Sequence, residues 1–98
     1  MLSGTMNVIS MSEVRACWHD RGFSCDLWVD PPGQVWADFV HEVDELVMPI
    51  EGSIELEFGG KVFRPRLGEE LAIPANAVHT VRSVGGTIAR WLYGYRCT

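Results

Sequence analysis

Residues 41–52 read HEVDELVMPIEG, and the fold turns on how this stretch is laid down. In an extended chain, side chains two and four positions apart face the same way, so Glu45, Val47 and Pro49 share one side while Leu46, Met48 and Ile50 take the other. Both sides are apolar, so such a strand must be covered twice: once by an interior and once by a second sheet layer or a neighbouring subunit. Pro49 lacks an amide proton and predicts a bulge or an edge position. His41 shares the parity of Glu45 if the chain stays extended, although a turn near Val43 would instead carry Glu45 onto the next strand.

Outward from this stretch, short apolar segments alternate with turn signals at Pro31–Gly33, Gly52, Gly59–Gly60, Gly68, Pro74–Asn76 and Gly85–Gly86. That spacing predicts an all-β sandwich or barrel over residues 24–98. Ile54, Leu56 and Phe58 alternate with Glu55 and Glu57, giving one buried and one wet face. The Gly59–Gly60 pair then predicts a hairpin with residues 61–64. Before the strands, residues 12–21 predict a short helix within an N-terminal segment 1–23. Ser10 or Ser12 caps it, Val14, Cys17 and Trp18 share a face, and Gly22 ends it. A helix this short is expected to cover a sheet edge or a barrel end.

With 98 residues the chain is expected to be one domain. An apolar share of 47% against 21% charged residues fits a packed globule. A net charge of −5, with no basic stripe, argues against nucleic acid as a partner. No apolar run approaches the ~20 residues of a membrane span, and residues 1–10 lack a charged start followed by an apolar core. The expected location is the cytoplasm, with no membrane partner. Cys17, Cys25 and Cys97 share no CxxC spacing and are expected to be unpaired thiols.

Two imidazoles and a carboxylate, here His41, His79 and Glu45, are a ligand set for an open site holding Zn, Fe(II), Mn, Ni or Cu. From residue types alone, the same groups could equally be inward polar side chains satisfied by hydrogen bonds. Asp38 and Asp44 have the opposite parity to His41 and are expected to be solvated. Arg64, Arg66, Arg82 and Arg90 could clamp an anion, with Arg82 expected outward in a surface or dimer role. Trp28, Trp36, Trp91, Tyr93 and Tyr95 are expected chiefly as core and interface mass, and secondarily as a wall against which a substrate stacks.

The two stretches His41–Gly52 and GEELAIPANAVHTVRS, residues 68–83, resemble the two motifs of the cupin superfamily. In the first motif His41, Glu45 and Gly52 match, and Gly33 matches its opening glycine. In the second Gly68, Pro74 and His79 match. The resemblance spans roughly residues 30–95 and implies a cupin-type β-barrel, the double-stranded β-helix or jelly roll, with His41, Glu45 and His79 as metal ligands. Phe39 stands where the first motif has its first His, so a four-ligand centre loses one ligand and gains an aromatic wall. Asn76 replaces the motif glycine and can take the same left-handed backbone, and Ser83 replaces the motif Asn.

On this reading Phe39, Val47 and Val81 line the pocket. The leading expectation for function is a metal-dependent enzyme that acts on a small molecule by isomerase, lyase or oxygenase-type chemistry. Its divalent transition metal leaves Glu45 itself, or water held by the ion, to act as base. The alternative is a metal-free or vestigial cupin that binds a small ligand or dimerises as an accessory protein. The doubly apolar strand and the aromatic stretch WLYGY, residues 91–95, suggest a homodimer.

Overall fold

Strict alternation in residues 54–58 becomes strand β4 of a two-sheet jelly roll, seen in a computed structural model that describes residues 9–97. The elements are α1 (Met11–Asp20), β1 (Asp26–Asp30), β2 (Val35–Phe39), β3 (Glu45–Glu51), β4 (Ser53–Phe58), β5 (Lys61–Phe63), β6 (Leu71–Ile73), β7 (His79–Val84) and β8 (Ala89–Tyr95). One sheet has the order β1-β8-β3-β6 and the other β2-β7-β4-β5, all pairs antiparallel. The expected hairpin joins β4 to β5 with Phe58 opposite Lys61, and Gly59 and Gly60 both at positive φ, as a two-residue primed turn requires. Residues 1–8, for which no leader was expected, lie outside the described residues.

The interior between the sheets holds Val47, Ile54, Leu56, Ile73, Val81, Ala89 and Trp91. Each comes from the inward parity of its strand, so the period-2 pattern alone sorts this core. Pro49 sits at the expected bulge, where the β3–β8 register shifts between Pro49 and Glu51. At Gly52, where the chain leaves one sheet for the other, φ is +74° and a Cβ would collide with the Ile88 carbonyl, so only glycine fits.

A second apolar cluster lies outside the barrel. Leu46 and Met48 of β3 and Leu92 of β8 pack with Cys25, Phe23 and Trp18 of α1. The helix therefore covers the outer face of the β1-β8-β3-β6 sheet, not an edge or a barrel end as expected. It is also the second cover that β3 demands, supplied within the chain where the sequence suggested a second sheet layer or a neighbouring subunit. Ser10 is the cap, its Oγ accepting from Glu13 N at 3.3 Å. Gly22 ends the helix at φ +86°, with Phe23 N–H bonded to the Trp18 carbonyl and Gly22 N–H to that of His19. This is the left-handed exit motif whose usual apolar partner contact is here Phe23 with Trp18. Glu70, just before β6, fastens the helix by accepting from Trp18 Nε1 at 2.9 Å and from both Arg21 terminal nitrogens at 2.8 and 2.7 Å.

Candidate functional site

The turn near Val43 does intervene: residues 41–44 form the crossover from β2 in one sheet to β3 in the other. His41 sits on this crossover, Glu45 begins β3 and His79 begins β7. Two ties hold the crossover against the Pro74-led turn. Asn76 N–H donates to the His41 carbonyl at 2.7 Å, and Ala75 N–H donates to Asp44 Oδ1 at 2.9 Å. Asn76 adopts φ +68°, the left-handed backbone expected of it. Asp44 is thus a structural clasp, also 3.4 Å from Arg96 Nε, where the sequence suggested only a solvated group. Asp38 is exposed, at positive φ in the bulge that brings Phe39 opposite His79.

Ligand atoms of His41, Glu45 and His79 all lie within 4.8 Å of one another. Glu45 Oε1 is 3.3 Å from His79 Nε2 and 3.7 Å from His41 Nε2. Glu45 and His79 are each only 4% exposed, whereas the His41 side chain is about a third exposed at the mouth. His79 Nδ1 lies 3.0 Å from the Ala77 carbonyl. A carbonyl can only accept, so Nδ1 carries the proton and Nε2 directs either a lone pair or a second proton toward Glu45. The nearby Glu45 carboxylate raises the His79 pKa against the opposing effect of burial, with the Ala77 carbonyl adding to the rise. Glu45 Oε1 is nonetheless buried without an aligned hydrogen-bond donor. A buried acceptor left unmatched beside an oriented imidazole is a cost that a cation would remove, so these residues fit a metal ion.

Strand register places Tyr95 opposite Glu45 and Phe39 opposite His79. The Phe39 ring is stacked on His41 at 17° and 6.3 Å, and lies 6.3 Å from His79, so the residue at the missing ligand position does line the pocket. Tyr95 Oη is 3.4 Å from His41 Nε2. Burial first, then the Glu45 charge and Tyr93, push the Tyr95 hydroxyl up to about 12, which keeps it a phenol and a proton donor at neutral pH.

The cavity above these groups measures about 180 Å³. Val81 lines it as expected, but Val47 does not: it is fully buried in the interior core. Trp28, Trp36, Trp91, Tyr93 and Tyr95 are half of its lining residues, and Trp91, with Trp36 and Tyr93 packed against it, also belongs to the interior core, as the first of the two sequence readings expects. Within the stretch 91–95, Trp91, Tyr93 and Tyr95 face the pocket and Leu92 packs beneath the helix. Among the described residues, no Lys or Arg lines the cavity. Arg64 pairs with Glu55, Arg82 with Glu57 and Arg90 with Glu51, all away from it, and Arg66 turns its backbone amide to Glu69.

Sequence reasoning missed Asp30. It is 1% exposed, and its carboxylate accepts from Trp28 Nε1 at 2.7 Å, Trp36 Nε1 at 2.9 Å and Trp91 Nε1 at 3.0 Å. One signal was available: Trp28 and Asp30 are two apart and share a face, and an inward acid at the end of a strand must find donors.

A jelly roll of two antiparallel four-stranded sheets, with a His–Glu–His cluster that could hold a metal ion inside one mouth, defines a class of small barrel proteins. The family model described as cupin domain matches residues 26–95, and the chain belongs to that family. No curated protein matches the chain. Among solved structures, the cupin domain of Schizosaccharomyces pombe Cnp3 is similar at TM-score 0.71 and 15% identity, over 79% of this chain and 57% of that one. The DMSP lyase DddQ from Ruegeria pomeroyi is similar at TM-score 0.69 and 18% identity, over 76% and 38%. An oxalate oxidase solved with the substrate analogue glycolate is similar at TM-score 0.67 and 23% identity, over 79% and 43%. The chain thus spans between about two fifths and three fifths of these proteins' lengths, and the likeness is one of fold.

Proposed function

We propose that this cupin holds one divalent transition metal on His41, Glu45 and His79 and acts on a small molecule bound in the aromatic pocket. The observation that carries the reading is Glu45 Oε1, buried and without an aligned hydrogen bond, between two imidazole rings of which one, His79, is oriented by the Ala77 carbonyl. When bound, such an ion supplies Lewis-acid polarisation of a substrate oxygen, which serves isomerase, lyase and oxygenase-type chemistry alike. The rest falls to the chain's own groups. The aromatic wall excludes water, and Phe39 narrows the mouth beside both imidazoles. Tyr95 holds its proton close to His41, where it can donate to a substrate oxygen, and Glu45 is the candidate base. Fold neighbours whose names denote a lyase and an oxidase of small molecules support this class of activity.

The test is elemental analysis of protein purified without chelator or a metal-binding tag. A stoichiometric transition metal, lost in His41→Ala and in His79→Ala, bears the proposal out. Metal-free protein after reconstitution with Zn, Fe, Mn, Ni and Cu overturns it. That second result would favour the alternative, a metal-free ligand-binding or accessory cupin, for which Phe39 at the ligand position is the specific support.

The proposal extends to setting and assembly. Three free cysteines suit the reducing cytoplasm, and among the described residues no helix is long and apolar enough to cross a membrane. Leu27 and Val29, exposed on the outer face of edge strand β1, are the apolar surface on which a homodimer would form. Light scattering of wild type against Val29→Lys, with a shift from dimer to monomer expected, tests that assembly.

A further inference from the structure

The proposed small-molecule site has an unusual electrical character. Asp30 is buried behind the cavity wall, and among the described residues no Lys, Arg or His pairs with it; its partners are three neutral indole N–H groups. Each indole directs its electropositive N–H edge at Asp30, which does not line the cavity, so those donors are spent and unavailable to a ligand. What the cavity meets is the remaining ring surface. The Trp28 ring stands at 78° to Trp36 and at 79° to Tyr93, with centroids 5.6 and 6.0 Å away, so the rings meet like the corner walls of a box. Trp91 closes it at 61° to Tyr93.

Parallel rings would sandwich a flat ligand; rings meeting at right angles surround a compact one. Electron-rich ring faces attract positive charge, and hydrogen bonding of three indoles to an anion makes those faces more negative. With no Lys or Arg among the described lining residues, counter-charge for an anionic head group is confined to the His41–Glu45–His79 end, while a cationic one among the indoles would face both the ring quadrupoles and the field of Asp30. A divalent ion held by Glu45 and two neutral imidazoles would carry one net positive charge and offset Asp30, so the pull on a cation is expected to be stronger in metal-free protein and to rest on the ring faces when the ion is bound.

Resting on the reading that this pocket is the substrate site, we infer that it takes a small molecule with an alkylated ammonium head, seated among Trp28, Trp36, Trp91 and Tyr93. The size agrees. An apolar cavity of about 150 Å³ accommodates benzene, and this one measures about 180 Å³, enough for a head group of trimethylammonium bulk.

The experiment is calorimetric titration of the full chain with choline and with its uncharged isostere 3,3-dimethylbutan-1-ol, on zinc-loaded and on chelator-treated protein, with zinc content measured on each sample. Choline is expected to bind at least about tenfold more tightly than the isostere. Trp28→Leu, at a half-exposed position that leaves the core intact, should abolish most of that preference, and Asp30→Asn should reduce it while the protein remains folded by circular dichroism. Equal affinity for the two compounds, or binding of neither, overturns the inference. Zinc retained in that case would leave the metal reading standing, whereas a choline preference in protein that never takes up zinc would keep the cage and remove the metal.

Discussion

His79 Nε2 stands 3.3 Å from Glu45 Oε1 while the other ring nitrogen is held by the Ala77 carbonyl, so the pair needs a positive species shared between them. A proton on Nε2 meets that need in part, since the Glu45 charge raises the His79 pKa. A metal ion would meet it more fully, because His41 lies within reach of the same point. The three ligand atoms converge because two sheets close over each other at this mouth, bringing the start of β3 beside the start of β7.

Phe39→His should tighten metal binding. The Phe39 ring is 6.3 Å from each imidazole and lies opposite His79 in the β2–β7 register, so a fourth nitrogen would enter the cluster from an existing wall. Groups one shell removed from a metal already change affinity by about 10–100-fold, so a direct ligand should add roughly tenfold or more. Competition for zinc against a chromophoric chelator measures it, and an unchanged constant would show that position 39 does not reach the ion.

Removing the Asp30 carboxylate should be costly. Asp30→Ala strips the acceptor from three indole N–H groups, of which that of Trp28 can rehydrate while that of Trp91 is buried. At about 1–3 kcal/mol for each buried donor left unpaired, the loss should be about 2–4 kcal/mol in urea unfolding. Asp30→Asn should fall between, because its amide oxygen can serve Trp28 and Trp36 but its NH₂ then faces the Trp91 N–H. An alanine variant as stable as wild type would contradict this account of the wall.

Acid should loosen the N-terminal helix. The Arg21 guanidinium, followed by the Trp18 indole, holds Glu70 below its ordinary value of 4.5 against the effect of burial. A carboxyl depressed in the folded state stabilises it above the unfolded pKa, and that contribution fades as pH falls below about 4.5 and through the folded value. Glu70→Gln should therefore lower Tm at pH 7, modestly because both partners are partly exposed, and the gap to wild type should close between pH 5 and 3. A gap constant across that range would mean the carboxylate charge does not matter.

Gly94→Ala should dislodge the same helix for a steric reason. A Cβ at Gly94 would overlap the Ser24 carbonyl and come within 2.9 Å of Trp18 Cε3, and neither a backbone carbonyl nor a buried indole gives way easily. Overpacking of this kind costs about 1–3 kcal/mol. A red shift of tryptophan emission, as Trp18 leaves its place against Leu46, Met48 and Leu92, is the expected signature. Wild-type emission and stability would show that α1 has room to slide.

Much of this architecture was legible in local pattern. Alternation at residues 54–58 and the Gly59–Gly60 pair specified the β4–β5 hairpin, Pro49 marked the bulge, and Gly22 marked the helix end. The motif spacing of His41, Glu45 and His79 named the candidate cluster because each of those residues opens a strand or a crossover at a fixed distance from a turn. The second cover of β3 was not legible. Period-2 parity says that Leu46 and Met48 must be buried, and nothing local says by what, so the pattern suggests a second sheet layer or a neighbouring subunit where α1 serves. Val47 was placed on the pocket wall for a similar reason: parity assigns it to the interior, but not to its depth there.

The sequence by itself determined which side of each strand is apolar, where the chain turns and which residues have metal-binding chemistry, because these depend on backbone geometry over a few residues. Only the tertiary structure decided what meets between distant segments: Asp30 with indoles from three separate strands, Tyr95 beside Glu45 within one sheet, and the helix on that sheet's outer face. Those contacts join residues as far apart as Asp30 and Trp91, and long-range pairing is set by how the sheets close, which no local pattern encodes.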